Sequence, residues 1–137
     1  MTATVESLAT RRTQLYQELA ALGDFRRGTI SVNYRKCGKP TCACAEAGHP
    51  GHGPQYLWNA TLGGQSRARN LRLGPELEKV AREVETYRTF AQLCHELVAV
   101  NEQLCERRPV RAVEDPRELA ALKKKLRRRF ARKWPRR

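Results

Sequence analysis

The residues best suited to chemistry lie in one short stretch: Cys37-Gly38-Lys39-Pro40-Thr41-Cys42-Ala43-Cys44, then His49-Pro50-Gly51-His52-Gly53-Pro54. Thiolate sulfur and imidazole nitrogen are preferred ligands of tetrahedral zinc. Gly38 and Pro40 suit a tight turn that returns Cys37 towards Cys42 and aims backbone amides at the sulfurs. Cys42 and Cys44 fall on one side of a locally extended chain. With one histidine, His49 or His52 by spacing, the set is Cys3His, a closed structural zinc site. The alternatives are an iron–sulfur cluster and unligated or redox thiols. A cluster asks for four cysteines. The other two, Cys94 and Cys105, sit in an apolar helical stretch and read as small core residues. A catalytic zinc needs an open position and a neighbouring acid or base, and Glu46 is the one acid of the loop. His95 follows Cys94 directly and points elsewhere on a helix, so the two are not a base and its nucleophile. No catalytic residue is assigned, and the chain is expected not to be an enzyme.

The elements that must carry this loop can be read from periodicity. Val5, Leu8, Leu15, Leu19 and Leu22 recur at helical steps, interrupted by Arg12, and Gly23 fits a C-cap. Ile30, Val32 and Tyr34 alternate with Thr29, Ser31 and Asn33, the period of a strand. Beyond the Cys/His stretch, Tyr56, Trp58, Ala60 and Leu62 alternate with Gln55, Leu57, Asn59 and Thr61. Gly63-Gly64 supplies a turn, and Arg67 to Leu73 returns as a third strand. So small a sheet needs a metal or neighbouring helices to be stable.

Gly74-Pro75 starts a helix expected to run to Arg107, about 50 Å long. One seam comprises Leu77, Val80, Val84, Tyr87, Ala91, Cys94, Val98 and Asn101; a second comprises Phe90, Leu93, Leu97, Val100 and Leu104. A compact chain of this length is only about 35–40 Å across, so the helix implies an elongated shape and a homodimer or hetero-complex formed through it. Asn101 is either a register-fixing residue at that interface or a locally bonded one. Asp115-Pro116-Arg117-Glu118 reads as cap, first-turn proline and capping-box acid, opening a third helix with Leu119, Leu122, Leu126 and Phe130 as its apolar stripe. The expected fold is α+β: a small zinc-stapled antiparallel β module (28–74) between an N-terminal helix (1–27) and a long central helix (75–108), followed by a basic C-terminal helix and tail (109–137).

The 137 residues carry 27 Lys and Arg against 14 Asp and Glu, a net +13, with 40% hydrophobic residues. Residues 116–137 alone hold 11 cations and the single acid Glu118, whereas residues 1–115 hold 16 cations against 13 acids. Unmixed charge repels itself, and a polyanion partner explains it. No run approaches the ~18 apolar residues of a membrane span, and no secretory signal pattern begins the chain. A cytoplasmic, nucleoid-associated location is expected. Five cysteines, three within eight residues, then favour a metal site over a disulfide framework.

The run from Tyr34 to Cys44 with His52-Gly53-Pro54-Gln55-Tyr56-Leu57-Trp58 resembles a family of small prokaryotic proteins classed as a domain of unknown function and often encoded beside transposases. Its pattern is Arg-Lys-Cys-Gly-Lys-Pro-x-Cys-x-Cys, a short loop, then His-Gly-Pro. The resemblance covers roughly residues 28–105 and leaves out the basic arm. It favours His52 as the fourth ligand, and it supplies no activity.

The function expected is therefore that of a zinc-containing nucleic-acid-binding protein, DNA rather than RNA, serving a mobile element in transposition. Arg35, Lys36, Lys39, Arg67 and Arg69, with Arg72 beside them, and Lys123, Lys124, Lys125, Arg127, Arg128, Arg129, Arg132 and Lys133 are its candidate phosphate contacts. Tyr34, Tyr56 and Trp58 either stack on bases or form a small aromatic core. The alternative is a helical scaffold that holds a transposase or other protein. A lipid anchor built on Leu122, Leu126, Phe130 and Trp134 is the least supported reading, because charge dominates that helix.

Overall fold

The structure is a computed structural model and describes residues 2–133, the side chain of Lys133 excepted. Its elements follow the order α1 (Val5–Ala21), β1 (Thr29–Arg35), a 3-10 turn (Ala43–Ala45), β2 (His52–Leu62), β3 (Gln65–Leu71), α2 (Pro75–Arg107) and α3 (Pro116–Lys133). The strands form one antiparallel sheet in the order β1-β2-β3. This is the α+β composition the sequence implies, with N-terminal, central and C-terminal helices and one small antiparallel sheet. The chain divides into two compact units, Met1–Leu104 and Cys105–Arg137.

In the first unit, α2 is buried by different neighbours along its length. Near its N-terminus, Val80 and Val84 pack with Leu71, and Leu77, Ile30, Tyr56 and Trp58 close around them. Cross-strand pairing puts Ile30 opposite Trp58 and Tyr56 opposite Leu71, so these side chains share the sheet face that α2 covers. Tyr56 and Trp58 are thus core aromatics. Further along, Val100 and Leu104 pack with Leu8 and Leu15 of α1, with Leu93 and Leu97 at the margin. The second apolar seam of α2 is therefore covered within the same chain, and Val98 of the first seam is exposed. Asn101 is locally bonded: its Nδ2 donates to the Leu97 carbonyl at 3.0 Å, and its Oδ1 accepts from Arg12 at 3.2 Å. Arg12 breaks the α1 stripe in order to make that bond. Next to it Arg11 grips Glu96 through two 2.8 Å hydrogen bonds.

Two expected caps differ. The α1 helix ends on an extended Leu22. Gly23 does not take positive φ; the chain leaves the helix extended and lays Phe25 on Phe90 with ring centroids 4.7 Å apart. At α3 the Asp115 side chain accepts from the Arg117 amide at 2.9 Å as a cap should, but Glu118 pairs with Arg111 at 3.1 Å in place of closing a capping box. The Gly63-Gly64 turn has φ of 57° and 78°, the doubly left-handed pair of a tight hairpin, and it sets Leu62 opposite Gln65. That pairing starts β3 at Gln65, two residues earlier than its alternation indicates.

One charge is buried where the chain crosses from α1 to the sheet. Glu83 of α2 is only 7% exposed. Its Oε2 accepts from Lys79 Nζ at 2.6 Å, and its Oε1 lies 2.9 Å from Arg26 Nη2 without an aligned hydrogen bond. The Lys79 hydrogen bond, helped by the Arg26 charge, outweighs desolvation and holds the carboxyl below its ordinary value of 4.5. A depressed folded-state value adds stability above the ordinary value that is lost as pH falls through the folded one. Glu83→Gln should therefore lower the urea midpoint at neutral pH, and its deficit should shrink as pH drops below 4.5; a deficit constant with pH would contradict the assignment. Leu15→Ala, at a fully buried position, should cost about 2–5 kcal/mol in the same measurement.

Candidate metal centre and the cations around it

The Cys/His stretch is the connection between β1 and β2. Cys37 follows the end of β1 by two residues, Cys42 and Cys44 flank the start of the 3-10 turn, and His52 opens β2 opposite Arg35. The register shifts between Asn33 and Arg35. Gly51 comes so close to the Arg35 backbone that a Cβ would lie 2.8 Å from its carbonyl carbon, at a φ of 105° that a side chain would resist. That approach holds His52 beside Cys37. The sequence pattern started β2 at Gln55, because Gly53-Pro54 reads as loop; here the strand runs through that pair to reach the metal ligand.

Cys37, Cys42, Cys44 and His52 place their donor atoms within 4.8 Å of one another. Cys37 Sγ lies 3.5 Å from Cys44 Sγ, and Cys42 Sγ lies 3.3 Å from His52 Nε2. A tetrahedral centre with metal–sulfur bonds of about 2.3 Å has sulfur–sulfur edges of about 3.8 Å, so the donor set has the dimensions of such a site. These four residues could hold a metal ion. His49 lies outside the group: its Nδ1 accepts from the Gly51 amide at 2.9 Å, which braces the turn into β2.

Local electrostatics prepare the sulfurs. The Cys37 amide donates to Cys44 Sγ at 3.4 Å. The Lys39 backbone amide, then hydrogen bonds from His52 and Cys44, bring the Cys37 thiol down to about 6. For Cys44 the Cys37 amide pulls downward, but burial and the neighbouring Cys37 and Cys42 thiols prevail and push it up. Crowded thiols cannot all ionise without a cation among them. Cys44 is 1% exposed, the one cysteine in the core.

The candidate phosphate contacts fall in three places. Arg35, Lys36 and Lys39 are exposed around the metal loop, with Lys36 Nζ 3.5 Å from the Glu46 carbonyl. Arg67 and Arg69 are exposed on β3 and Arg72 just beyond it, with the Arg69 guanidinium 5.6 Å from the Trp58 ring centre. In the second unit, α3 exposes Lys123, Lys124, Lys125, Arg127, Arg128, Arg129 and Arg132. Neither the Lys133 side chain nor Trp134 is among the described residues. None of the ion pairs found among the described residues uses any of these cations. No described helix is long and apolar enough to cross a membrane. Sequence reasoning passed over Gly51, whose role is a close backbone approach; the backbone amides that the Gly38–Pro40 turn was expected to aim at the sulfurs include that of Lys39 on Cys37.

A family model described as a domain of unknown function, DUF6788, matches residues 5–83, which include α1, the whole sheet and the first turns of α2. No curated protein and no solved structure matches significantly. His52→Ala and Cys42→Ser should each take the metal content of purified protein, read by elemental mass spectrometry, well below one ion per chain. His49→Ala and Cys94→Ser should leave it unchanged. Equal loss on His49→Ala would place the fourth ligand wrongly.

Proposed function

Because the chain belongs to the DUF6788 family, a domain of unknown function whose model spans residues 5–83, function has to be argued from its own residues, and we propose a zinc-containing DNA-binding protein. Zinc is the ion that a Cys3His donor set of these dimensions suits best, and four protein donors leave no open position for catalysis. Its contribution would be a crosslink that fixes β1, the 3-10 turn and β2 to one another. The role is structural and the protein is not an enzyme.

The observation that carries DNA binding is α3. Its exposed cations include two uninterrupted triplets, Lys123 to Lys125 and Arg127 to Arg129, on a helix whose one acid, Glu118, is already paired with Arg111. Counterion release from a polyanion is the interaction that rewards such a helix. The location that follows is the nucleoid, in the cytoplasm. A role as accessory or regulatory factor of a mobile element rests on the motif resemblance alone. The scaffold reading has lost its main support, since α1 already occupies the apolar face of residues 93–104.

Truncation after Asp115 should flatten the dependence of duplex affinity on salt, because each phosphate contact contributes a slope of about −0.9 in log affinity against log salt. Fluorescence anisotropy over a salt series reads this. An unchanged slope would remove α3 from the interface.

A further inference from the structure

The side of the sheet turned away from α2 has a composition unlike the rest of the protein. By strand alternation from the paired residues, it displays Thr29, Ser31 and Asn33 from β1, Gln55, Leu57, Asn59 and Thr61 from β2, and Ser66, Ala68 and Asn70 from β3. In a chain of net charge +13 none of these ten carries a charge, and five of the six on the two outer strands hold an amide or β-hydroxyl. Asn33, Gln55, Thr61, Ser66, Ala68 and Asn70 are exposed; Ser31, Leu57 and Asn59 at the centre are half-buried. The central amides are already held: Asn59 Nδ2 donates to Ser31 Oγ at 3.0 Å, and Asn33 Nδ2 to the same oxygen at 3.3 Å. No side-chain hydrogen bond engages Gln55 or Asn70 among the described residues.

We propose that this face of the sheet enters the major groove of duplex DNA and reads base edges, an inference that rests on the DNA-binding function above. Phosphate contacts position a protein and base contacts specify its sequence, and the two call for different side chains. Asn and Gln pair in bidentate fashion with adenine N6 and N7, Ser and Thr accept or donate to any base edge, and Leu57 and Ala68 suit thymine methyl groups. Cations border this face: Arg35, Lys36 and Lys39 stand at the metal-loop end of β1 and Arg72 just beyond the end of β3, whereas Arg67 and Arg69, paired with Ala60 and Trp58, belong to the side that α2 covers. Dimensions agree as well. Three strands about 4.8 Å apart span roughly 10 Å, against a major groove about 12 Å wide.

The same face decides between nucleic acids. A single strand is held by stacking on aromatic rings. None of the ten residues is aromatic; Tyr56 and Trp58 face α2, and Tyr34 stands at the register irregularity by the metal loop. Duplex RNA has a major groove too deep and narrow for side chains to read. Duplex DNA is the partner that an amide-rich, ring-free sheet face fits.

The test is selection of the full-length, metal-loaded protein on a random duplex DNA library at near-physiological salt, repeated with Gln55→Ala and Asn70→Ala. Wild type should enrich a motif. The variants should keep the salt slope and lose about 10–100-fold in discrimination at one or two motif positions. Methylation of purine N7 on the enriched site, which needs no variant to fold, should block wild-type binding. Binding without a motif, variants that keep the full motif, or tolerance of N7 methylation would each overturn the reading of this face and leave DNA binding standing. Absence of duplex binding at any salt would bring down the DNA-binding function itself.

Discussion

A three-stranded sheet with one apolar face cannot stand alone in water, and the architecture follows from how that face is covered. The cover is the first third of α2, where Val80 and Val84 meet Leu71, Ile30, Tyr56 and Trp58. Once that stretch is committed to the sheet, the remainder of the 33-residue helix must find its own partner. That partner is α1, which comes earlier in the chain and runs antiparallel, so that Arg11 reaches Glu96 and Phe25 reaches Phe90. The segment joining α1 to β1 crosses between the two packed regions, and Glu83 anchors it through Arg26 at a place where little else could hold a charged carboxylate.

The division of labour proposed for the two units also has a physical logic. Salt-dependent affinity needs only exposed cations, which a single helix displays without a core of its own. Recognition of particular bases needs fixed geometry, which packing on one face and a metal crosslink at one end would supply. The family model covers α1, the sheet and the first turns of α2, ending at residue 83, well before α3. Flat hydrogen-bonding faces tolerate substitution of individual side chains without loss of the fold, because the residues that hold the sheet point the other way.

Much of this was legible in the sequence, for identifiable reasons. Periodicity marked the helices, β1 and β2, and the Gly63-Gly64 turn pointed to β3, of which Leu71 alone is buried; the 3-10 turn at Ala43–Ala45 left no periodic mark. Ligand chemistry found Cys37, Cys42, Cys44 and His52 as a group, but spacing alone left His49 open; the choice turns on the close approach of Gly51 to Arg35, a contact between residues far apart in the chain. The apolar breadth of α2 at residues 90–104 was visible, yet it does not say whether the covering helix belongs to the same chain. Arg12 looked like a flaw in the α1 stripe and Asn101 like a possible interface residue; each is explained by the other. Glu118 fitted a capping box by position and was drawn to Arg111 by charge, a competition that pattern reading does not weigh.

The position of His52 at the first residue of the central strand has one more consequence. A one-residue slip of a strand exchanges its two faces. The Gly63-Gly64 turn fixes β2 against β3 at one end of the sheet, but β1 is an outer strand paired with β2 alone and joined to it by a connection with little apolar content. An ion shared by Cys37 and His52 would serve as the ruler for that pairing, deciding whether Ile30 or Ser31 turns towards α2. Loss of the ion would then leave the β2–β3 hairpin and both helices of the first unit in place while misaligning a single strand, and the protein would fail by frame error rather than by collapse.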